Sequence, residues 1–373
     1  MGGFECSTFY RRNGKRLDLV ASTKHDLFCR EDYLRLQDQR ILTAREGIRW
    51  HLIETAPGRY GFASVLPMIR NAANLGVQIL WDLCHYGWPD NLDIFSTEFV
   101  RRFERFSAAF ARLVRDEMEG PHYFAPINEI SFFSWAGAET ANIAPYLRRR
   151  GFELKCQLVR AAIAAMEAVW AQIPEARFLH VDPVVHIVPN PAKPRLTAEG
   201  EAYRRAQYQA WDMIAGRVCP ELGGDTKYLD IIGVNYYPHN QWEYRGKMIP
   251  RTDPRYRPFN EMLAEVYQRF GRPMLIAETG TEKDQRVGWL RYVSEQARMA
   301  MADGVPLHGI CLYPILNHPG WVDDRHCHNG LWDYADKTGN REICHSLAGE
   351  LKRQQALFEE EVTDAKRICL SAA

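Results

Sequence analysis

The sequence lacks three features that would assign it to common functional classes. Its 47 basic and 47 acidic side chains balance to a formal charge of zero, so it has no electrostatic excess for binding nucleic acid or an anionic membrane surface. No apolar run approaches the ~20 residues that a membrane helix needs. No GxGxxG or GxxxxGK[ST] motif follows an apolar segment, which argues against the usual nucleotide-binding loops. We therefore expect neither a nucleic-acid nor a membrane partner.

The nine cysteines are odd in number, and none of them forms a CxxC pair. They lie in apolar segments such as LWDLCHY and GICLYP, which is typical of reduced, buried thiols in a cytoplasmic protein. The first residues, MGGFECSTFY, show neither the basic nor the apolar stretch of a secretory signal. Potential metal ligands crowd one segment, at His318, His326, Cys327 and His328, but without a matched ligand set. We expect a cytoplasmic protein that needs no metal and no other cofactor.

Short apolar segments alternate with segments of helical period along the whole chain. The strand candidates are 3–9, 47–53, 77–84, 122–129, 177–183, 229–237, 273–279 and 307–314. The helix candidates are 31–46, 63–75, 97–117, 153–173, 198–216, 258–270, 285–303 and 340–358. Eight strand–helix repeats without a linker predict an α/β fold, a (β/α)8 TIM barrel that spans residues 1–373 as one catalytic domain. A doubly wound open sheet is the main alternative.

Two glutamates stand at predicted strand ends, where a barrel of this kind builds its active site. Glu129 ends the fourth predicted strand and Glu278 ends the seventh, so their carboxylates would meet across the mouth of the barrel. Charged groups are seldom buried without a partner or a function. Two carboxylates about 5 Å apart can cleave a glycosidic bond by double displacement, one as ionised nucleophile and the other as protonated acid.

The motifs around these glutamates resemble those of the clan A glycoside hydrolases, especially the family 1 β-glycosidases. The segment 126–130 (PINEI) is similar to the family's Thr-x-Asn-Glu-Pro, and 276–280 (IAETG) to its Ile-Thr-Glu-Asn-Gly. The segment 84–89 (CHYGWP) loosely matches the third-strand motif, and 235–237 (NYY) matches the sixth-strand motif. Arg49 falls where the clan keeps an arginine. Each motif is weak by itself, but five of them in the expected order are fairly specific.

The resemblance implies a retaining hydrolase that acts on a β-linked glycoside, with Glu278 as nucleophile and Glu129 as acid/base. It also implies that Asn128 contacts the 2-hydroxyl of the sugar and His85 the 3-hydroxyl, while Arg49 and Tyr237 hold the nucleophile. The substrate-binding candidates are therefore Asn128, His85, Arg49, Asn235 and Tyr237, to which we add Trp321 as a stacking platform for the sugar. The partner expected from these residues is a carbohydrate.

Structural alternatives stand beside these roles. Glu129 would also be satisfied as a buried carboxylate paired with Arg49, and His85 as a core histidine. Asn235 and Tyr237 would also serve in a turn or in packing, and Trp321 would also anchor a loop.

Two departures from the family pattern leave the substrate open. No Gln-x-Glu-Gly follows the first strand, and the pattern Trp-Ser-x-x-Asp-Asn-x-Glu-Trp after strand eight becomes YPILNHPGW at 313–321. Gly320 thus replaces the glutamate that reads the sugar's 4- and 6-hydroxyls. A transglycosidase would use the same two glutamates, and a catalytically inactive sugar-binding or regulatory barrel would also fit the departures. The sugar, the aglycone and the oligomeric state stay open at this point, whereas the catalytic pair favours an enzyme.

Overall fold

The computed structural model of the protein describes residues 1–371, and the side chains of residues 1–361. Eight parallel strands close into a barrel, each paired with its neighbours in chain order, and β1 pairs with both β2 and β8. The strands are β1 (Gly2–Gly3), β2 (Thr43–Gly47), β3 (Gln78–Asp82), β4 (Tyr123–Ala125), β5 (Arg177–Pro183), β6 (Ile231–Asn235), β7 (Met274–Thr279) and β8 (Leu307–Leu312). The expected (β/α)8 TIM barrel is confirmed, and the open sheet is excluded.

Helices connect the strands, as the right-handed crossovers of a parallel sheet require. The main helices are α1 (His25–Asp38), α2 (Leu66–Leu75), α3 (Thr97–Glu117), α4 (Gly151–Trp170), α5 (Thr197–Arg205), α6 (Gln209–Ile214), α7 (Phe259–Phe270), α8 (Gln285–Ala302) and α9 (His345–Ser371). Short helical segments cover Leu19–Ser22, Trp50–Ile53, Ile130–Ser134, Trp135–Glu139, Pro194–Leu196, Ala206–Tyr208, Pro220–Leu222 and Thr226–Tyr228. Within residues 1–371, none of the helices has the length and apolar character to cross a membrane.

Three two-stranded sheets decorate the loops of the barrel. They pair Glu54–Ala56 with Arg59–Tyr60, His186–Val188 with Gln241–Glu243, and His318–Pro319 with His326–Cys327. The second of these sheets joins the loop after β5 to the loop after β6, and the third lies in the loop after β8. These loops follow the carboxyl ends of the strands, so the additional sheets build up the mouth of the barrel.

Helix α3 forms as its sequence pattern predicts. Ser96 caps its first turn by accepting the amide of Phe99, and aromatic side chains recur at helical spacing on the buried face. Phe99, Phe103, Phe106 and Phe110 are fully buried there, and each such side chain contributes roughly 1.5–3 kcal/mol to folding. Trp50 packs onto this stripe, with its ring 5.2 Å from that of Phe106. The stripe thereby fixes α3 against the segment that follows β2.

Glycines end two of the main helices. Gly76 and Gly271 are the C-caps of α2 and α7, with φ of 65° and 62°, a left-handed conformation that glycine adopts at little cost. Gly47 is the last residue of β2. A side chain at that position would collide with the thiol of Cys6.

Strand β2 is the element that the sequence analysis misplaced. The segment 43–47 (TAREG) forms this strand, whereas the prediction was a helix over 31–46 and a strand over 47–53. Successive residues of a strand point to opposite faces, and here both central residues are charged and fully buried. Arg45 points into the barrel, while Glu46 points outward and accepts hydrogen bonds from α1. A search for apolar runs therefore cannot find this strand.

The barrel interior is filled by small and medium apolar side chains below the mouth. Leu80, Ala125, Leu179, Val181, Leu275 and Ala277 form this inner cluster. A second and much larger cluster packs the outer faces of the strands against the helices. Because the inner cluster closes the barrel from below, polar side chains at the strand ends meet only at the upper, carboxyl-terminal mouth.

Candidate active site

Glu278 lies near the end of β7 with both carboxylate oxygens occupied by hydrogen-bond donors. Its Oε1 accepts from Nη1 of Arg45 at 2.7 Å, and its Oε2 accepts from the hydroxyl of Tyr237 at 2.8 Å. Only 5% of the residue is exposed. One donor is a permanent cation and the other a neutral hydroxyl, a combination that suits an ionised, acceptor-only carboxylate. Tyr237 thus contacts Glu278, and its role in holding a nucleophile stays a prediction.

Arg45 forms ion pairs with two carboxylates below the mouth, those of Asp82 and Glu278. Its guanidinium is fully buried and contacts Asp82 through Nε at 3.0 Å and Nη2 at 2.7 Å, besides Glu278. Its Nη2 also donates to Oδ1 of Asn128 at 2.6 Å, and its plane lies over the ring of Tyr313. A buried cation is tolerable only when anions and acceptors surround it in this manner.

Arg49 does not hold Glu278, so this part of the expectation is wrong. Its guanidinium pairs with Asp18 at 3.2 Å and with Asp26 at 3.0 Å, and its backbone begins the helical turn Trp50–Ile53. The displacement follows from the position of β2: residue 49 lies beyond the end of that strand, while Arg45 lies within it. Nor is Arg49 the structural partner of Glu129.

Glu129 follows β4 and has an unusual backbone. Its φ of 48° places a non-glycine residue in the left-handed region, which costs about 1 kcal/mol or more and is found most often at functional sites. Its amide donates to the carbonyl of Val181 at 3.0 Å, and the amide of Asn128 donates to Cys84 at 2.9 Å. Asp182 accepts the next-but-one amide, that of Ser131, at 3.0 Å. Bonds to the neighbouring strands β3 and β5 thus hold this turn and aim the carboxyl group.

The carboxyl group of Glu129 is surrounded by neutral groups. Asn235 donates its amide to Oε1 at 2.8 Å, and the hydroxyl of Tyr86 donates to Oε2. Burial, followed by the nearby negative charge of Glu278, raises the pKa of Glu129 to about 8. Glu129 therefore keeps its proton at neutral pH, as a general acid must.

Asn128 links the two glutamates through a chain of hydrogen bonds. Arg45 can only donate, so the amide atom that faces it is the oxygen, and this fixes the orientation of the side chain. Nδ2 of Asn128 then donates to Nε2 of His85 at 3.1 Å and to the hydroxyl of Tyr86 at 3.0 Å. The hydroxyl of Tyr86 in turn donates a hydrogen bond to Glu129. The orientation of Asn128 is therefore set by the same arginine that binds Glu278.

His85 lies between this chain and Asp82. Because its Nε2 accepts from Asn128, the ring proton belongs on Nδ1, which lies 3.0 Å from Oδ2 of Asp82. The ring is parallel to that of Tyr313, with centroids 6.0 Å apart. His85 is thus buried and oriented at the mouth, where its expected contact with a sugar hydroxyl stays a prediction.

Trp321 lies on the rim of the mouth among other aromatic rings. Its ring centroid is 5.6 Å from that of Tyr86 and 5.5 Å from that of Phe9, both edge-on, and Phe132 lies beside it. The side chain is half-buried. The structure places it next to Tyr86, the donor to Glu129, and its role as a stacking platform stays a prediction.

The structure thus brings together all of the predicted site residues except Arg49. Those that meet around the mouth are Glu129, Glu278, Asn128, His85, Asn235, Tyr237 and Trp321. Arg45, Asp82 and Tyr86 also lie in the site, although they were not predicted from the sequence. Asp82 was detectable as the only charged residue in the apolar run VQILWDLC, and Tyr86 lies inside a motif already singled out. Arg45 left no signal, since its segment was read as a helix.

Among the residues whose side chains are described, two groups have the composition of a metal site. Cys6, Asp82 and His85 have ligand atoms within 4.8 Å of one another, but Asp82 is already bound by Arg45, and a metal cation beside that guanidinium would be repelled. His326, His328 and Asp333 form the second group, in the loop after β8. The imidazole rings of His326 and His328 are stacked with their centroids 4.1 Å apart, and Nε2 of His326 already lies 2.8 Å from Oδ1 of Asp333. The expectation of no metal stays a prediction.

A cavity of about 310 Å³ opens beside the mouth, next to the segment that follows Glu129. Its aromatic lining comprises Phe132, Trp135, Tyr203, His239 and Trp242. The ring of His239 is parallel to that of Tyr237, the donor to Glu278, with centroids 5.6 Å apart. The cavity therefore lies next to Tyr237 and to the segment after Glu129, and it offers flat apolar faces to a bound group.

Solved structures with a similar fold are β-glucosidases. The family 1 β-glucosidase from Thermotoga maritima aligns with a TM-score of 0.73 at 17% identity, covering 90% of this chain and 87% of that one. The Thermotoga maritima β-glucosidase in complex with glucoimidazole or with deoxynojirimycin gives TM-scores of 0.73 and 0.70, each at 17% identity and covering 88% of this chain and 86% of that one. No family model and no curated protein sequence matches the chain significantly. The resemblance inferred from the motifs is confirmed at the level of the fold.

Proposed function

We propose that this protein is a retaining glycoside hydrolase that cleaves a β-linked glycoside by double displacement. The observation that carries the proposal is the contrast between two buried carboxyl groups at one barrel mouth. Glu278 is bound by the guanidinium of Arg45, whereas Glu129 has a raised pKa and only neutral donors. Double displacement needs this division between an anionic nucleophile and a protonated acid. The fold of the β-glucosidases and the matched motifs support the same reaction.

In the first step, the carboxylate of Glu278 attacks the anomeric carbon while Glu129 donates its proton to the glycosidic oxygen. The carbon–oxygen bond to the leaving group breaks, the aglycone departs as an alcohol, and a glycosyl ester forms on Glu278. Glu129 is left ionised. The ester neutralises Glu278, so the charge that raised the pKa of Glu129 disappears, and Glu129 is better able to stay ionised in the intermediate.

In the second step, ionised Glu129 takes a proton from a water molecule that attacks the same carbon from the vacated side. The ester bond breaks, Glu278 regains its negative charge, and the sugar leaves with its original anomeric configuration. Recovery of the charge on Glu278 favours the proton on Glu129 again. At the end of each turnover, the negative charge on Glu278 and the proton on Glu129 are therefore both restored.

The neighbours of the glutamates position the reacting groups. Arg45 and Tyr237 orient Glu278, while Tyr86 and Asn235 orient Glu129. We assign Asn128 and His85 to the hydroxyls of the sugar and Trp321 to its face, as the motifs imply. The aromatic cavity lies next to the segment that follows Glu129, so we assign it to the leaving group.

Trapping of the intermediate tests the proposal. An aryl 2-deoxy-2-fluoro-β-glycoside should add one fluoroglycosyl group to the protein, and peptide mapping should place it on Glu278. Proton NMR of the first product should show the β anomer. Turnover that yields the α anomer would contradict a retaining mechanism, and saccharide binding without an adduct would identify an inactive sugar-binding barrel. Formation of glycosides with added alcohols would reveal transglycosylation.

We also propose that the protein works in the cytoplasm as a single catalytic barrel. The support is the scatter of its cysteines through apolar segments; eight of them, at the positions whose side chains are described, are free thiols. Cell fractionation checks the location.

A further inference from the structure

A third carboxylate stands at the mouth of the barrel, beyond the end of β1. Glu5 is 8% exposed, although the catalytic steps above give it no task. Its Oε1 accepts hydrogen bonds from the amide of Ser7 at 3.0 Å and from the hydroxyl of Ser7 at 2.6 Å. Its Oε2 has no hydrogen-bond partner among the residues whose side chains are described. A buried carboxylate with one anchored and one free oxygen has the form of a ligand contact.

Glu5 lies at the same mouth as the catalytic pair, because it follows the carboxyl end of β1 and precedes Cys6, whose thiol lies within 4.8 Å of ligand atoms of Asp82 and His85. Burial alone would raise the pKa of Glu5, but the imidazoles of His85 and His318 in their protonated form and the hydrogen bonds from Ser7 hold it below its ordinary value. Its negative charge also raises the pKa of the hydroxyl of Tyr86 and that of Tyr237. These two tyrosines donate to Glu129 and Glu278, so the field of Glu5 reaches both catalytic groups.

Negative charge therefore exceeds positive charge where a sugar would bind. The guanidinium of Arg45 is shared between Asp82 and Glu278, and no arginine or lysine pairs with Glu5 among the residues whose side chains are described. The excess persists even while Glu129 keeps its proton. A sugar that brought a carboxylate or phosphate into this space would meet two uncompensated anions at low dielectric, whereas a hydroxyl or an ammonium group would donate to one of them.

We propose that Glu5 is a specificity-determining residue whose free oxygen accepts a hydrogen bond from a hydroxyl or ammonium group of the sugar. The site then selects neutral sugars and amino sugars and rejects sugars that carry a carboxylate or a phosphate. This inference rests on the proposed function, since it names the substrate class of the same site. Specificity arises here by repulsion of the wrong ligand as well as by attraction of the right one.

A purely structural role is the competing interpretation, because Glu5 also anchors Ser7. The variant Ser7→Ala removes the hydroxyl contact without changing the charge of the site. The variant Glu5→Gln keeps the shape and the capacity to accept from Ser7 but removes the charge. If Glu5 served only to anchor the loop, both variants would affect thermal stability and neither would alter the choice of ligand.

Calorimetric binding of non-hydrolysable ligands is the test. The probes are 4-nitrophenyl 1-thio-β-glycosides in the gluco and galacto series, as the neutral sugar, the 2-amino sugar and the uronate. The wild-type protein should bind the neutral or amino sugar at least tenfold more tightly than the uronate of the same series. In Glu5→Gln the ratio should fall about tenfold, chiefly because the uronate binds better, and in Ser7→Ala it should not change. Comparison of the 2-amino sugar with the neutral sugar of the same series shows whether an ammonium or a hydroxyl group is the preferred donor.

Equal ratios in the wild type and in Glu5→Gln would overturn the inference, as would tighter binding of the uronate by the wild type or no binding of any probe. The measurement does not depend on turnover. The proposed function fails separately if the fluoroglycoside leaves Glu278 unmodified, even where the binding ratios behave as expected.

Discussion

Glu278 and Glu129 differ in the kinds of groups that surround them at the mouth of the barrel. Glu278 is bound by a buried cation, Arg45, and by the hydroxyl of Tyr237. Glu129 contacts only neutral donors, Tyr86 and Asn235. The side chains are chemically identical, so the difference in protonation arises from the neighbours. The same residue type can thereby supply both the proposed nucleophile, Glu278, and the proposed acid, Glu129.

The two environments are coupled even though they use different partners. The charge of Glu278 helps to raise the pKa of Glu129, and Asn128 joins Arg45 to Tyr86 by hydrogen bonds. A mutation near one glutamate should therefore also affect the other glutamate. Because their partners differ, the environment of each glutamate can still be mutated separately.

Removal of either carboxyl group tests the contrast most severely. Glu278→Ala and Glu129→Ala should each lower kcat for a β-glycoside by about 10⁴-fold or more, since each removes a reacting group. Added azide separates the two roles. It should restore turnover in Glu278→Ala with an α-glycosyl azide as product, and in Glu129→Ala with a β-glycosyl azide, as identified by NMR. The opposite pairing of azide products would reverse the assignment of the two glutamates.

Arg45 and Arg49 offer a matched comparison, because Arg45 lies in the site whereas Arg49 pairs with aspartates nearer the surface. Arg45→Gln leaves Asp82 and Glu278 buried without their cation, so we expect a loss of about 3–5 kcal/mol in the free energy of unfolding. In protein that remains folded, kcat should fall about 10²–10³-fold. Arg49→Gln breaks pairs with the partly exposed Asp18 and Asp26, which should cost about 1 kcal/mol and leave kcat unchanged. Urea titration and steady-state kinetics measure both, and a loss of kcat in Arg49→Gln alone would restore the original assignment.

Arg45 and Arg49 also show how much of the fold and of the site could be predicted from the sequence. Apolar strands that end in a carboxylate, such as those before Glu129 and Glu278, are visible because burial and charge contrast sharply along the chain. The fold class and most of the site followed from these strand ends and from the motifs. Helices with a clear apolar period, such as α3, were placed within a residue or two.

Strand β2 could not be read in the same way, because its buried side chains are charged. Arg45 and Glu46 look solvent-exposed by residue type, yet both are fully buried, and each is stabilised by partners distant in sequence. Glu278 binds the first, while His25 and Tyr33 bind the second. Only tertiary contacts justify such burial, so no local pattern encodes it. Glu5 was not singled out for the same reason, since its burial appears only in the folded chain.

The pH dependence of Glu129 distinguishes its environment from an exposed one. Its pKa rises from an ordinary value of 4.5 to about 8 through burial and the charge of Glu278. The native protein therefore retains a proton that the unfolded chain loses between these two values, and the free energy of unfolding falls as pH rises through that window. The slope contributed by this group approaches about 1.4 kcal/mol per pH unit. Chemical denaturation from pH 5 to 9 should show it in the wild type and not in Glu129→Gln.

Activity should follow the same proton. Above about pH 8, kcat/KM should fall towards tenfold per pH unit as Glu129 loses the proton that the leaving group requires. An activated aryl leaving group needs little protonation and should show a shallower decline. Identical stability slopes in the wild type and in Glu129→Gln would indicate that Glu129 is ionised in the native protein at neutral pH, against its assignment as the acid.

Deletion of single hydroxyls should produce the smallest effects and the clearest comparison of the two sides. Tyr237→Phe removes one of two donors from Glu278, so kcat should fall about tenfold, while the alkaline limb of the pH–rate profile should stay in place. Tyr86→Phe removes a donor that lowers the pKa of Glu129, so the alkaline limb should move to higher pH instead. Because each variant lacks one oxygen atom, differences in bulk do not confound the comparison. Movement of the same limb in both variants would show that the two carboxyl groups titrate as one unit rather than as a nucleophile and an acid with separate partners.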